Sequence, residues 1–172
     1  MVIKKTSMVR WLLVLVTAFG LLSASLLVHS IPDIQTWQTA KGAKVLYVPS
    51  RGLPMVDIRI VFDAGSARDN GISGLAALTN GLLAEGAGGK TAQQLAESFE
   101  SVGAQFSNDA LRDMAIVGVR TLTDKEYLRT ALQTLNTLLA QPDFQQKDYE
   151  RELARMKVSV TARKQSPSSI AG

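Results

Sequence analysis

Along residues 56–63 the apolar side chains of Val56, Ile58, Ile60 and Phe62 alternate with Asp57, Arg59, Val61 and Asp63. A period of two sends successive side chains to opposite sides, so this segment is a strand with one strongly apolar face. Just before it, residues 34–39 and 44–48 form two short β-favouring runs around Lys41-Gly42-Ala43, which predicts a hairpin. Then the period changes. Leu75, Leu78 and Leu82 recur at spacings of three and four, which predicts a helix over 72–85 with those leucines inward, stopped by Gly86 and Gly88-Gly89. Thr91-Ala92-Gln93-Gln94 has the spacing of a capping box, and a short helix should follow to about residue 102, with Leu95 and Phe99 inward.

Gly103 ends that helix, and residues 104–107 and 114–121 read as two more strands around a polar tip at Asn108-Asp109. The spacing of Thr123 and Glu126 again suggests a capping box. Leu128, Leu132, Leu135 and Leu139 form an apolar stripe on a helix that must stop before Pro142. A last helix is expected over 145–164, with Tyr149, Leu153, Met156 and Val160 inward, broken by Ser166-Pro167-Ser168-Ser169. The order β-β-β-α-α-β-β-α-α makes the fold class α+β: a mainly antiparallel sheet with helices packed on one face.

The first thirty residues are of another kind. Lys4, Lys5 and Arg10 precede an 18-residue uncharged stretch from Trp11 to Val28. At full helical rise it covers about 27 Å, close to the thickness of a bilayer core, so residues 1–30 read as an export signal or a membrane anchor. Ser23-Ala24-Ser25 allows cleavage, while the apolar run of residues 26–28 favours an uncleaved anchor. Positive charge on the N-terminal side places the body, residues 31–172, outside the cytoplasm, either held at the inner membrane facing the periplasm through residues 11–28 or free in the periplasm. The leader also changes the meaning of the net charge of +4, because without its three cations sixteen basic residues face fifteen acidic ones. With 6% aromatics and no basic face, nucleic acid is not an expected partner. There is no cysteine and the one histidine is His29, which excludes disulfides, thiol catalysis and any Cys/His zinc site in the body.

The wording of the body resembles a family. Phe62-Asp63-Ala64-Gly65-Ser66, then Asp69, then Gly74-Leu75-Ala76-Ala77-Leu78-Thr79, then Glu85-Gly86-Ala87, then Gly103-Ala104-Gln105-Phe106, is similar to the N-terminal domain of insulinase/pitrilysin-type metallopeptidases, over about residues 34–165. The resemblance implies an H-x-x-E-H motif on the helix after the third strand: two histidines on one helix face would hold zinc, and the glutamate would polarise its water. In that register Ala77, Asn80 and Gly81 replace histidine, glutamate and histidine. A methyl group and a hydrogen have no lone pair, and a carboxamide is a very poor base. The family's further ligand, a glutamate in a later helix, falls on Arg155, a cation. The resemblance also implies that the domain continues beyond Gly172, so the half-domain is expected to be incomplete at its C-terminal end.

Other residues have plainer expectations. Gly81 in mid-helix suggests that something packs closely there, Asn80 belongs to a local hydrogen-bond network, and Glu85 orders the turn after it. Residues 86–91 end in Gly-Lys-Thr but follow a helix and lack the first glycine of a phosphate loop. Asp109, Arg112 and Asp113 form a solvated cluster. The leading expectation is a catalytically silent, exported subunit of a two-chain zinc peptidase, with zinc in the partner subunit and none here. It would contact peptide substrate, for which an exposed sheet edge is suited. The alternative is an independent periplasmic peptide-binding or scaffold protein. An active zinc metalloendopeptidase, the label that resemblance alone suggests, is the least favoured.

Overall fold

The computed structural model describes residues 33–50 and 52–165, so the leader, including 11–28, and the break at 166–169 lie outside the described residues. No helix among the described residues is long and apolar enough to cross a membrane. The chain divides into two units at Gly52. The first contains the hairpin of β1 (Gln35–Gln38) and β2 (Lys44–Tyr47), antiparallel with Trp37 opposite Val45. Its turn is closed by Thr39, whose N–H donates to the Ala43 carbonyl at 2.9 Å and whose hydroxyl accepts from the Ala43 N–H at 3.0 Å. Trp37 and Tyr47 meet edge to face, 6.4 Å between ring centroids.

The second unit is built on a three-stranded antiparallel sheet. β3 (Met55–Phe62) and β6 (Gln105–Ala110) flank β7 (Ala115–Leu122), giving the order β3-β7-β6. The register places Ile58 opposite Val119 and Ile60 opposite Val117, with Phe106 across from Val119 on the other side. These residues share one face, as the period-two pattern requires, and the helices cover it. The opposite face carries Asp57 and Arg120, opposite each other and paired at 2.5 Å.

Four helices follow in the chain: α1 (Leu75–Leu82), α2 (Ala92–Glu100), α3 (Lys125–Ala140) and α4 (Gln146–Lys164). Between α1 and α2 a small ribbon, β4 (Gly86–Ala87) with β5 (Lys90–Thr91), reverses the chain. The core is the space between sheet and helices, filled by Leu95 and Phe99 of α2, Ala131, Leu135 and Leu138 of α3, and Val117 and Val119 of β7. α2 opens with the expected capping box: Gln94 N–H donates to the Thr91 hydroxyl, and the Gln94 side-chain Oε1 accepts from Thr91 N–H. α1, α2 and α3 touch the sheet, whereas α4 lies on α1.

Several local expectations are corrected. α1 starts at Leu75 and not at residue 72, because Gly74 has φ +91° and bends the chain into the helix. The β6–β7 turn is not at Asn108-Asp109. Leu111 N–H donates to Met114 O at 2.8 Å, so the turn is Arg112-Asp113, and Asn108 is a strand residue facing the helices. The cap of α3 is Asp124 and not Thr123; its carboxylate accepts from Glu126 and Tyr127 N–H at 2.9 and 3.3 Å. On α3 the buried stripe runs through Ala131, Thr134, Leu135 and Leu138, leaving Leu132 39% exposed. On α4, Tyr149 and Val160 are exposed, while Asp148 and Glu152 are buried. A helix that packs on one other helix needs only a narrow contact stripe, and here charge pairs occupy part of it.

Candidate functional site

The site is set by how the chain enters α1. After β3, Gly65 crosses the β6–β7 turn so closely that a Cβ there would lie 2.3 Å from the Met114 nitrogen and 2.4 Å from the Arg112 oxygen. Only glycine fits. Ser66 and Ala67 then donate their N–H groups to Leu111 O and Arg112 O at 2.9 and 2.8 Å. Asp69, buried, turns its carboxylate back onto the start of α1 and accepts from Gly74 N–H at 2.8 Å and Ala76 N–H at 2.9 Å. A carboxylate on the free N–H groups of a helix start satisfies donors that have no partner inside the helix and complements the helix dipole.

Held in this way, α1 presents two sides. One lines an open cleft of about 430 Å³, with Phe62, Leu75, Leu83 and Leu139 as apolar walls, Thr79 and Asn80 as polar points, and an Asp63–Arg68 ion pair at the rim. Asn80 is buried; its Nδ2 donates to Ile116 O at 3.4 Å, and its backbone carbonyl accepts from Asn108 Nδ2 at 2.6 Å. The expected network at Asn80 is present, and it joins α1 to β6 and β7. The other side of α1 meets α4: Met156 Sδ is 3.1 Å from a Cβ built on Gly74. Ala77 is exposed, and a Cβ built on Gly81 meets nothing within 4 Å. The close packing expected at Gly81 is therefore absent.

The end of α1 is tied to α4 by ions. Glu85 accepts from Arg151 Nη2 at 2.5 Å, and the same guanidinium donates to Asp148 at 2.7 Å. Arg155 pairs with Glu152 at 2.5 Å. The hydrogen bond to Asp148 raises the Arg151 pKa above its ordinary value; desolvation opposes it, and the charges of Glu85, Asp148 and Glu152 support it. Arg151 thus remains a cation throughout the accessible pH range. Glu85 is a strut between helices and does not order the following turn. That role falls to Gln141 and Asp143, which accept from Gly88 N–H at 2.8 Å through a backbone oxygen and from Gly89 N–H at 3.2 Å through a carboxylate. Nothing in the reading of motifs singled out Arg151. The available signal was the spacing of charges at 148, 151, 152 and 155, which suits helical ion pairs.

The residues at the motif positions do not fit a zinc ion. Ala77 and Gly81 provide no donor, Asn80 is engaged with the sheet, and Arg155 places a cation on α4 paired to Glu152. Among the described residues no three His, Cys, Asp or Glu side chains gather to hold a metal.

The profile of the insulinase family, peptidase family M16, matches residues 44–171. The chain belongs to the insulinase family. This domain is of the non-catalytic type: Ala77, Asn80 and Gly81, which the resemblance places at the motif positions, carry none of the groups that zinc hydrolysis requires. Among solved structures, this insulinase-family chain is similar to a peptidase M16 inactive domain from Pseudomonas fluorescens, 40% identical with a TM-score of 0.78, covering 81% of this chain and 34% of that one. A protease from Helicobacter pylori superposes with a TM-score of 0.72 over 81% of this chain and 34% of that one; at 15% identity it shows the fold alone. The chain thus spans about a third of the length of either structure. No curated protein matches it.

Proposed function

We propose that this chain is the catalytically silent subunit of an exported, two-chain insulinase-type peptidase, in which a separate chain carries the H-x-x-E-H helix and its zinc. The observation that carries the reading is α1: it is a well-capped helix in the family's position, yet Ala77 and Gly81 leave the motif positions without a donor. In the pair, this subunit helps to enclose the chamber and contacts peptide substrate, for which a sheet edge left open among the described residues is suited. The charges before residues 11–28 support a place at the inner membrane facing the periplasm, or in the periplasm if the leader is cleaved.

The test is to express the chain with a zinc-bearing insulinase-family chain from the same locus, and each alone. The reading expects peptide hydrolysis from the pair and none from this chain. A partner that is equally active with and without this chain would contradict it.

A further inference from the structure

β1 and β2 form a hairpin of four residues a side, too short to bury a core of its own. Residues opposite each other in an antiparallel pair share a face, so the pairs Trp37 with Val45 and Gln35 with Tyr47 place Trp37, Val45 and Tyr47 on one side of the ribbon. The two rings meet edge to face, yet both stay exposed. The other side carries Leu46, 63% exposed, among Thr36, Gln38 and Lys44. The charges are one-sided as well. From residue 29 to residue 51 Asp33 is the one acid against Lys41, Lys44 and Arg51, whereas the body as a whole is nearly balanced. Lys41, in the turn, and Lys44 are both exposed.

Tryptophan and tyrosine join an apolar ring to a polar N–H or O–H, and such side chains concentrate where one end is apolar and the other wet, as at the headgroup level of a bilayer. Lysines beside the rings complement anionic headgroups, and their stems lie along apolar surface while the charge stays in water. Gln35 is seven positions after Val28, a reach of at most about 25 Å, so a chain held at the membrane by residues 11–28 keeps the hairpin within that distance of the bilayer. We propose that the hairpin is a membrane contact: the side with Trp37, Val45 and Tyr47 settles into the headgroup layer of an anionic bilayer, Lys41 in the turn meets the phosphates, and Lys44 adds to the local positive potential. This inference rests on the reading of residues 11–28 as a membrane segment and adds a second contact, which restricts how the body turns on its tether.

The chain has two tryptophans, so Trp11→Phe leaves Trp37 as the one reporter. The full 172-residue chain with this change is reconstituted in vesicles of phosphatidylcholine and phosphatidylglycerol. The lipids are brominated either near the headgroup end of the acyl chain or near its tip, and acrylamide serves as the quencher in water. Trp37 should be quenched more by bromine near the headgroups than by bromine near the chain tips, and should be shielded from acrylamide. Lys41→Ala should lower the ratio of inserted to free hairpin about fivefold, the worth of one cation at an anionic surface, and should have no such effect in phosphatidylcholine alone. A chain that stays with the vesicles while Trp37 is open to acrylamide and untouched by bromine overturns the contact and leaves the anchor standing. Trp37 shielded from both quenchers means that a second copy or another polypeptide segment covers the hairpin, which overturns the proposal too. A chain that leaves the vesicles in high salt removes the anchor reading along with it.

Discussion

Asp69 illustrates how much a single side chain does here. Its carboxylate spans the bend at Gly74 and holds two N–H groups at the start of α1. Asp69→Ala would leave these donors in a part-buried place without their acceptor, and the expected loss is about 1–3 kcal/mol of folding stability in a urea titration. An unchanged midpoint would show that water replaces the carboxylate. Gly81 predicts the opposite sign. Its φ is not positive and a Cβ meets nothing, so Gly81→Ala should gain about 0.5–1 kcal/mol from helix propensity alone. Destabilisation by this substitution would mean that a neighbour does press on the helix at that point.

At the scale of elements, α3 separates what periodicity can and cannot say. The spacing of Leu128, Leu132, Leu135 and Leu139 marks a helix correctly, but which residues turn inward depends on the neighbours that the helix meets. α3 packs on β7 and α2, and Ala131, Thr134, Leu135 and Leu138 form the buried stripe, leaving Leu132 at the surface. Leu135→Ala should therefore cost about 2–5 kcal/mol and Leu132→Ala about 0.5 kcal/mol or less, measured by denaturant unfolding. Equal losses would restore the stripe expected from sequence. The strand pattern of β3 and the capping box at Thr91 were legible because both depend on local spacing. The β6–β7 turn was not, since the polar Asn108 looks like a turn residue until its partner, the Asn80 carbonyl 28 positions away, is known. Similarly, Asp148 and Glu152 look like solvent-facing residues in sequence and are buried through Arg151 and Arg155.

At the scale of the whole molecule, the candidate site was legible mainly as a loss. The positions of Ala77, Asn80 and Gly81 follow from the family wording, and their chemistry follows from residue type alone. The tie between the turn after α1 and α4 was hidden, because the Glu85–Arg151 ion pair joins residues 66 positions apart. The domain keeps the family's architecture without the residues of its zinc chemistry. The most direct measurement is the zinc content of the purified chain after dialysis against a chelator, with peptide hydrolysis followed on the same sample. Sub-stoichiometric zinc that washes out, and no cleavage, are expected. One retained equivalent of zinc, with cleavage that Asn80→Ala abolishes, would contradict it.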